Sequence, residues 1–399
     1  MVSSSNIVYL ENRKRRNAIA ARNAKTKSRL QGGAVVIPMV KGAPDIWIMF
    51  IAVFLVGIGV IMVFSASYYN TLAADPLEYL KRQGSFAGIG FLIMLIVMNI
   101  DYQKYRFTAK NLLYITIFLL IMVFFFEDTN GSHRWIPFFG FNIQPSEIAK
   151  FTTVMFAADC LSKRHADPND LKGALGVIAG VTGLIALMIY KEPDLGAAVI
   201  ILCVAFVILL TAGLRWYYVI CSVLGGSAAV AYLIMSSEYQ MRRVQGFLDP
   251  WADPLDTGYQ IINSYLALGS GGLFGVGVGG SRQKLGFLPE QFTDFIFSIT
   301  GEELGFVGAG LIVFLFMILA WRGYRVALNS PGLYGCLLAV GITTGIVFQA
   351  ALNLSVVTGL APVTGITLPF ISYGGSSLLM SMGSIGVLLN ISRYRRADA

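Results

Sequence analysis

An all-α, polytopic integral membrane protein with about ten transmembrane helices is the fold class this sequence predicts, and three observations carry it. Hydrophobic residues make up 56% of the 399-residue chain and charged residues 13%, a balance too apolar for a soluble domain. Apolar runs repeatedly reach the roughly 20 residues that cross a hydrocarbon core. Basic residues are shared unevenly between alternate connections, as the positive-inside rule requires.

In chain order, residues 1–45 are polar and basic and lack the short apolar core and small-residue cleavage site of a secretory signal, so they read as a cytoplasmic tail. The run RKRRNAIAARNAKTKSR can lie on anionic headgroups, at on the order of 1 kcal/mol per basic residue, or remain solvated and only set topology. Spans follow near 46–68, 84–100, 111–126, 146–162, 173–190, 196–213, 216–235, 293–320, 334–358 and 369–390. Trp47, Trp216 and Trp321 fall at their cytoplasmic ends, where aromatic anchors sit. Residues 46–392 thus form one membrane domain, with a long extracytoplasmic loop, 236–292, between helices 7 and 8. Ten crossings return 393–399 to the cytoplasm as a C-terminal tail. Assigning connections alternately places about 21 Lys and Arg inside against about 9 outside, and about 7 acidic residues inside against about 15 outside. The net +8 is therefore a topology signal and argues against a nucleic-acid partner.

Cys160, Cys203, Cys221 and Cys336 lie in or at the ends of apolar helices without C-x-x-C spacing, so neither a disulfide nor a metal framework is expected. The chain has two histidines, His133 and His165, and unless His133 serves, acid–base chemistry falls to a carboxylate.

The loop after the third helix reads EDTNGSHRWIPFFGFNIQPSEIAKF. Arg134, Trp135 and the aromatics around Pro137 look like an interfacial re-entrant piece, and Pro145-Ser146-Glu147 like a helix start with Ser146 as N-cap. Lys150 shares a face with Glu147, either as a structural ion pair or as part of a site. The turn KEPDLG crowds Lys191, Glu192 and Asp194 onto the outer side, and Asp194 also suits a cap of the sixth helix. In the long loop, Gly275, Gly277 and Gly280 match G-x-G-x-x-G by letter, but no βαβ unit surrounds them, so close-packed or flexible backbone is the better reading. Arg242, Arg243, Arg282 and Lys284 bring four cations to the outer face against the general bias, which suggests an anionic ligand such as a pyrophosphate.

Asp294 stands at the mouth of the eighth span, and Glu302 and Glu303 lie deeper on the same helix. Ionisable groups at membrane depth are costly and usually functional. Glu302 falls about 12 Å deeper and within roughly 80° of Asp294, so it shares the same cavity or is a buried partner of Lys150 or Arg134, while Glu303 points the other way. Gln349 and Asn353 share a helical face, and PVTGITLPFISYGGSS breaks the final apolar run; Gln349, Asn353, Ser372 and Ser376 are candidate substrate-binding residues. Broken helix at this depth needs protein or a water-filled cavity beside it. Tight helix packing is the alternative account of Gly374-Gly375-Ser376-Ser377 and of Gly301-x-x-x-Gly305.

Together, RQGSFAGIG at 82–90, HRWI…QPSEIAKF, EPDLG, the block WADPLDTGYQIINSYLALGSGGLFGVGVGGSRQKLGFLPEQFTDFIF and LAPVTGITLPFISYGGSS resemble the SEDS family, the FtsW, RodA and SpoVE proteins of bacterial cell-wall synthesis. The resemblance covers residues 46–397 in order. SRQKLGFLPE, WRGYRVAL…LYG and LLNISRYRR look most like the FtsW/SpoVE branch. The resemblance implies a peptidoglycan glycosyltransferase in the bacterial cytoplasmic membrane that polymerises lipid II on the outer face. It further implies a class B penicillin-binding protein as transpeptidase partner, other divisome membrane proteins and membrane lipids around it, and a place at the division septum. RodA-like elongation or SpoVE-like sporulation are the related alternatives. No fixed cofactor is implied, with a divalent cation, Mg or Mn, as an optional aid to the pyrophosphate. Two positions depart from the family pattern: Phe292 stands where His usually precedes the Thr-Asp pair, and Glu192 where Gln is usual.

Joining two sugars while a lipid pyrophosphate leaves requires a base, cations for the leaving group, and access to bilayer and water together. Asp294 suits the base; burial would raise its pKa, and the helix N-terminus and nearby cations would lower it. A lipid-precursor transporter and a catalytically silent scaffold are the competing classes, though the chain shows no internal repeat of the kind carriers carry.

Overall fold

The computed structural model describes residues 39–72, 75–126, 134–138, 141–163 and 166–396. The basic run at 13–29, His133, His165 and the Asn130-Gly131-Ser132 triplet lie outside the described residues. In chain order the elements are β1 (Met39–Lys41), α1 (Ile46–Thr71), α2 (Glu78–Asn99), α3 (Tyr102–Met122), β2 (Ile136–Phe138), β3 (Phe141–Ile143), α4 (Pro145–Leu161), α5 (Ala174–Lys191), α6 (Leu195–Thr211), α7 (Trp216–Met235), α8 (Glu238–Leu248), α9 (Tyr259–Gly271), α10 (Ile296–Asn329), α11 (Leu333–Val357), α12 (Gly375–Ser392) and β4 (Tyr394–Arg396).

The protein is an all-α, multi-pass membrane protein. Among the described residues, eight helices (α1, α2, α3, α5, α7, α10, α11 and α12) are long and apolar enough to cross a bilayer. α6 is a shorter apolar helix of 17 residues, and α4, also of 17, is more polar; both lie where the sequence predicts spans. α11 lies at the centre, packed against α4, α6 and α10, and two thirds of its apolar stretch is buried. α2 and α12 run tightly together because both present small residues: a Cβ on Gly386 would come within 2.7 Å of the Met94 carbonyl. β1 pairs antiparallel with β4, Met39 opposite Arg396, which brings the start of the membrane domain and its end to one face.

Several local expectations are corrected. In the piece read as interfacial and re-entrant, Ile136–Phe138 and Phe141–Ile143 pair as antiparallel strands, Ile136 opposite Ile143. Gln144 is the N-cap of α4, with Pro145 at the first helical position, so Ser146 lies inside the helix and its buried hydroxyl lacks a partner. The loop 236–292 contains two helices, α8 and α9. α10 is broken at Gly305 (φ 67°), where the segment 272–277 takes over the hydrogen bonding: Val276 N–H donates to the Glu302 carbonyl at 3.0 Å and Gly277 N–H to that of Glu303 at 3.1 Å. A side chain on Gly275 would strike the Glu303 carbonyl at 2.1 Å, so the glycine tract exists to let backbone meet backbone. Gly305 is thus a break in the helix as well as a close-packing position: a Cβ there would stand 2.3 Å from the Gly275 nitrogen, as one on Gly301 would stand 2.5 Å from Leu268.

Candidate functional site

A cavity of about 1480 Å³ opens beside α10 and draws its walls from α2, the β-hairpin, α4, the turn between α5 and α6, α8 and the irregular stretch before α12. Of the residues singled out in the sequence, Arg134, Glu147, Lys150, Asp194, Arg243, Asp294 and Ser376 line it.

Asp294 sits two residues before α10, and its segment is strapped on the main-chain side. The carbonyls of Phe292, Thr293 and Asp294 accept, in turn, the Tyr373 N–H at 2.9 Å, the Ser372 hydroxyl at 2.6 Å and the Asn353 amide at 2.7 Å. Every donor comes from α11 or the stretch leading to α12. The side chain is left free to face the cavity. Its removal from bulk water pushes the Asp294 carboxyl up to about 7; the Glu290 charge acts the same way, and Arg134 and Arg243 pull against it.

Those two arginines are aimed by main-chain carbonyls. Arg134, at the entry to β2, donates through Nε to the Glu192 carbonyl at 3.0 Å and through Nη2 to that of Pro193. Arg243, on α8, donates through Nη1 to the Val363 carbonyl at 3.0 Å and through Nη2 to Tyr239, whose ring lies under the guanidinium at 4.5 Å. Burial holds the Arg243 pKa below its ordinary value. A Cβ at Gly365 would stand 3.5 Å from Asp294 Oδ2, 3.5 Å from Arg134 Nη1 and 4.0 Å from Arg243 Nη1. One carboxylate and two guanidinium groups therefore converge on one point, and Gly365 (φ 73°) keeps that point open.

Other lining groups are already engaged. Lys150 pairs with Glu147 at 2.8 Å and donates to Gln349 at 2.5 Å, so its charge is largely satisfied by protein. Asp194 caps α6 through Ala197 N–H at 3.0 Å while bordering the cavity. Ser376 ties β3 to α12, donating to the Asn142 carbonyl at 2.7 Å.

The remaining candidates lie elsewhere, each for a physical reason. Lys191 ends α5 exposed to solvent, and Arg242 pairs with Asp256 on the surface. Lys284 is buried and consumed by Glu303 at 2.8 Å and Ser65 at 3.0 Å. Glu302 is neither in the cavity nor paired with Lys150 or Arg134. It accepts from the Ser281 hydroxyl and the Arg282 N–H, the latter at 2.9 Å, and so folds the loop end onto α10. Gln349, Asn353 and Ser372 stand behind the wall: Gln349 donates to the Thr367 carbonyl at 3.0 Å and Asn353 to that of Ile366 at 2.7 Å.

Sequence reasoning missed Tyr79, Lys81 and Arg82 on α2, Tyr239 on α8, and Glu290, all of which line the cavity. Tyr79, Phe292 and Tyr373 form an aromatic wall with ring centroids 4.8 to 5.8 Å apart, so Phe292 packs where an imidazole would otherwise reach the site. The motif beginning at Arg82 was the available signal. Among the described residues, no three His, Cys, Asp or Glu side chains gather as a metal site.

Comparison with known proteins gives a consistent result. The family described as "Cell cycle protein", comprising the FtsW, RodA and SpoVE proteins, matches residues 46–397. The chain is 44% identical over 361 residues to stage V sporulation protein E of Bacillus subtilis, covering 89% of this chain and 99% of that protein. It is 42% identical over 362 residues to a probable peptidoglycan glycosyltransferase FtsW of a Geobacter species, with 89% and 98% covered. Among solved structures, it resembles a chain described under structural coordination of polymerization and crosslinking by a peptidoglycan synthase complex (TM-score 0.74, 30% identity, 88% and 98% covered). The rod shape determining protein RodA of Thermus thermophilus matches with TM-score 0.65 and 28% identity, 88% and 97% covered.

Proposed function

The chain belongs to the FtsW/RodA/SpoVE family and is a membrane-embedded peptidoglycan glycosyltransferase, and from that premise we propose that it polymerises lipid II on the outer face of the cytoplasmic membrane with Asp294 as general base. The observation that supports this most is the convergence of Asp294, Arg134 and Arg243 around Gly365.

The reaction needs a hydroxyl of one disaccharide to attack the anomeric carbon of another. Asp294 takes the hydroxyl proton as the new C–O bond forms. The bond from the anomeric carbon to the lipid pyrophosphate breaks, and negative charge collects on the departing phosphate. A carboxylate held up to about 7 is well matched to accept a proton near neutral pH. Arg134 and Arg243 keep a donor edge toward the cavity and suit the leaving pyrophosphate. Lys150, neutralised by Glu147, is less suited to that part. No fixed cofactor is proposed, with a Mg or Mn ion as an optional aid to the pyrophosphate.

The biological setting we propose is septal wall synthesis, with a class B penicillin-binding protein as transpeptidase partner and other division proteins nearby. The match to a chain from a peptidoglycan synthase complex supports the partner. The test is to supply lipid II to the purified chain with its transpeptidase: glycan polymer is expected, and its absence would overturn the proposal.

A further inference from the structure

A second cavity, of about 260 Å³, lies at the opposite end of α10 from Asp294 and plays no part in the chemistry above. Its walls include Asp45, Arg322, Arg325, Asn329, Ser392 and Tyr394, drawn from the entry to α1, the last turns of α10 and the exit of α12. By the charge distribution of the connections this is the cytoplasmic face.

The charge balance is uneven. Asp45 is spent on protein: it caps α1 through Trp47 and Ile48 and pairs with Arg322 Nη2 at 2.7 Å. Among the described residues, the buried Arg322 Nε has no partner and Arg325 has no carboxylate within ion-pair distance. Two guanidinium groups thus face one carboxylate, and both sit 5.7 Å from the ring centre of Trp321. The residues next to the lining in sequence are apolar and outward-facing: Ile46 and Trp47 follow Asp45, Trp321 precedes Arg322 and Leu328 precedes Asn329, each more than half exposed. A cationic cavity rimmed by interfacial aromatic and aliphatic side chains has the chemistry of a lipid headgroup seat, with the phosphate inside and the acyl chains passing over the rim.

We propose that this cavity binds the phosphate of an anionic phospholipid from the cytoplasmic leaflet. Arg325 and Arg322 Nη1 hold the phosphate, and the Asn329 amide and the Tyr394 hydroxyl are further donors on the wall.

The test measures thermal unfolding of the purified full-length chain in detergent with dioctanoyl phosphatidylglycerol, dioctanoyl phosphatidylcholine or inorganic phosphate, each titrated over the same range. Phosphatidylglycerol is expected to raise the unfolding temperature saturably, as a ligand of the folded state does, and the other two to leave it unchanged. Arg325→Gln should weaken the apparent affinity about tenfold, while Arg215→Gln, an exposed arginine expected on the same face, should respond as wild type. Arg322→Gln should weaken it too and also lower baseline stability, because Asp45 loses its partner. If that variant does not fold, Arg325→Gln decides alone, since it leaves the Arg322–Asp45 pair intact. No shift with phosphatidylglycerol, an equal shift with free phosphate, or equal responses from Arg325→Gln and Arg215→Gln would overturn the proposal.

Discussion

The hydroxyl of Ser372 donates a 2.6 Å hydrogen bond to the carbonyl of Thr293, the residue immediately before Asp294, and accepts one of 2.7 Å from the Leu368 N–H. A serine that reads as a ligand in sequence is thereby a brace between the broken segment and the carboxylate's own loop. Ser372→Ala leaves both main-chain groups unpaired. Stability should fall by about 1–2 kcal/mol, and kcat of lipid II polymerisation by about tenfold, with KM little changed. Steady-state kinetics beside thermal unfolding checks this; unchanged kcat at reduced stability would leave Ser372 a purely structural role.

Asp294→Asn keeps shape and hydrogen bonding but cannot take a proton. Turnover should drop about 10²–10⁴-fold or more while folding and association with the transpeptidase persist. Polymerisation by the purified variant, with association measured on the same preparation, is the check. Wild-type yield would refute the base assignment, and joint loss of yield and association would indicate a structural role.

Since the Asp294 carboxyl is pushed up to about 7, its basic form is gained as pH rises through neutrality. kcat/KM should therefore climb between about pH 6 and about pH 8. Arg243 pulls that pKa down, so Arg243→Gln should move the limb to higher pH. The folded chain holds this proton more tightly than the unfolded chain, whose carboxyl titrates near about 4, so Asp294 removes stability as pH rises from about 4 to about 7. Asp294→Asn should accordingly gain more in unfolding temperature over wild type at about pH 8 than at about pH 5.

Glu192 is fully buried, and among the described residues neither carboxylate oxygen has a hydrogen-bond partner. Burial, seconded by the Asp194 charge and opposed by Arg134, pushes it up to about 9. It is neutral at pH 7, where Glu192→Gln should change polymerisation by less than about twofold. The stability gap in favour of the glutamine should widen from about pH 5 to about pH 9 and level off above, because only the wild type must give up a buried proton. Unfolding temperatures across that range test it, and a gap that does not depend on pH would refute the neutral assignment.

Lys284 and Glu303 are joined at 2.8 Å with side chains 8% and 0% exposed. Lys284→Met should cost about 3–5 kcal/mol by stranding a buried carboxylate, and the double variant Lys284→Met, Glu303→Gln should recover part of that loss. The KM for lipid II should stay within about twofold of wild type in both. A selective rise in KM would instead return Lys284 to the pyrophosphate site.

Apolar runs alone determined an all-α, multi-pass membrane protein, because a bilayer imposes length and hydropathy on each helix separately. Asp294 was legible for the same reason, as a carboxylate that its position makes expensive. Which cations join it was not legible, since every outer-face cation satisfies the same topological argument. Tertiary structure decided among them through the nearest compensating group. Lys284 met Glu303 and Arg242 met Asp256, whereas among the described residues Arg134 met neutral carbonyls, Arg243 a carbonyl and the Tyr239 hydroxyl and ring, and both kept their charge for the cavity. Glu302 likewise satisfied the helical geometry for a shared cavity, yet the break at Gly305 admitted the glycine-rich segment and brought the 281–283 turn within its reach. Such pairings join residues distant in sequence, and the free energy of a buried charge depends on the partner it meets after folding, which no periodicity along the chain encodes.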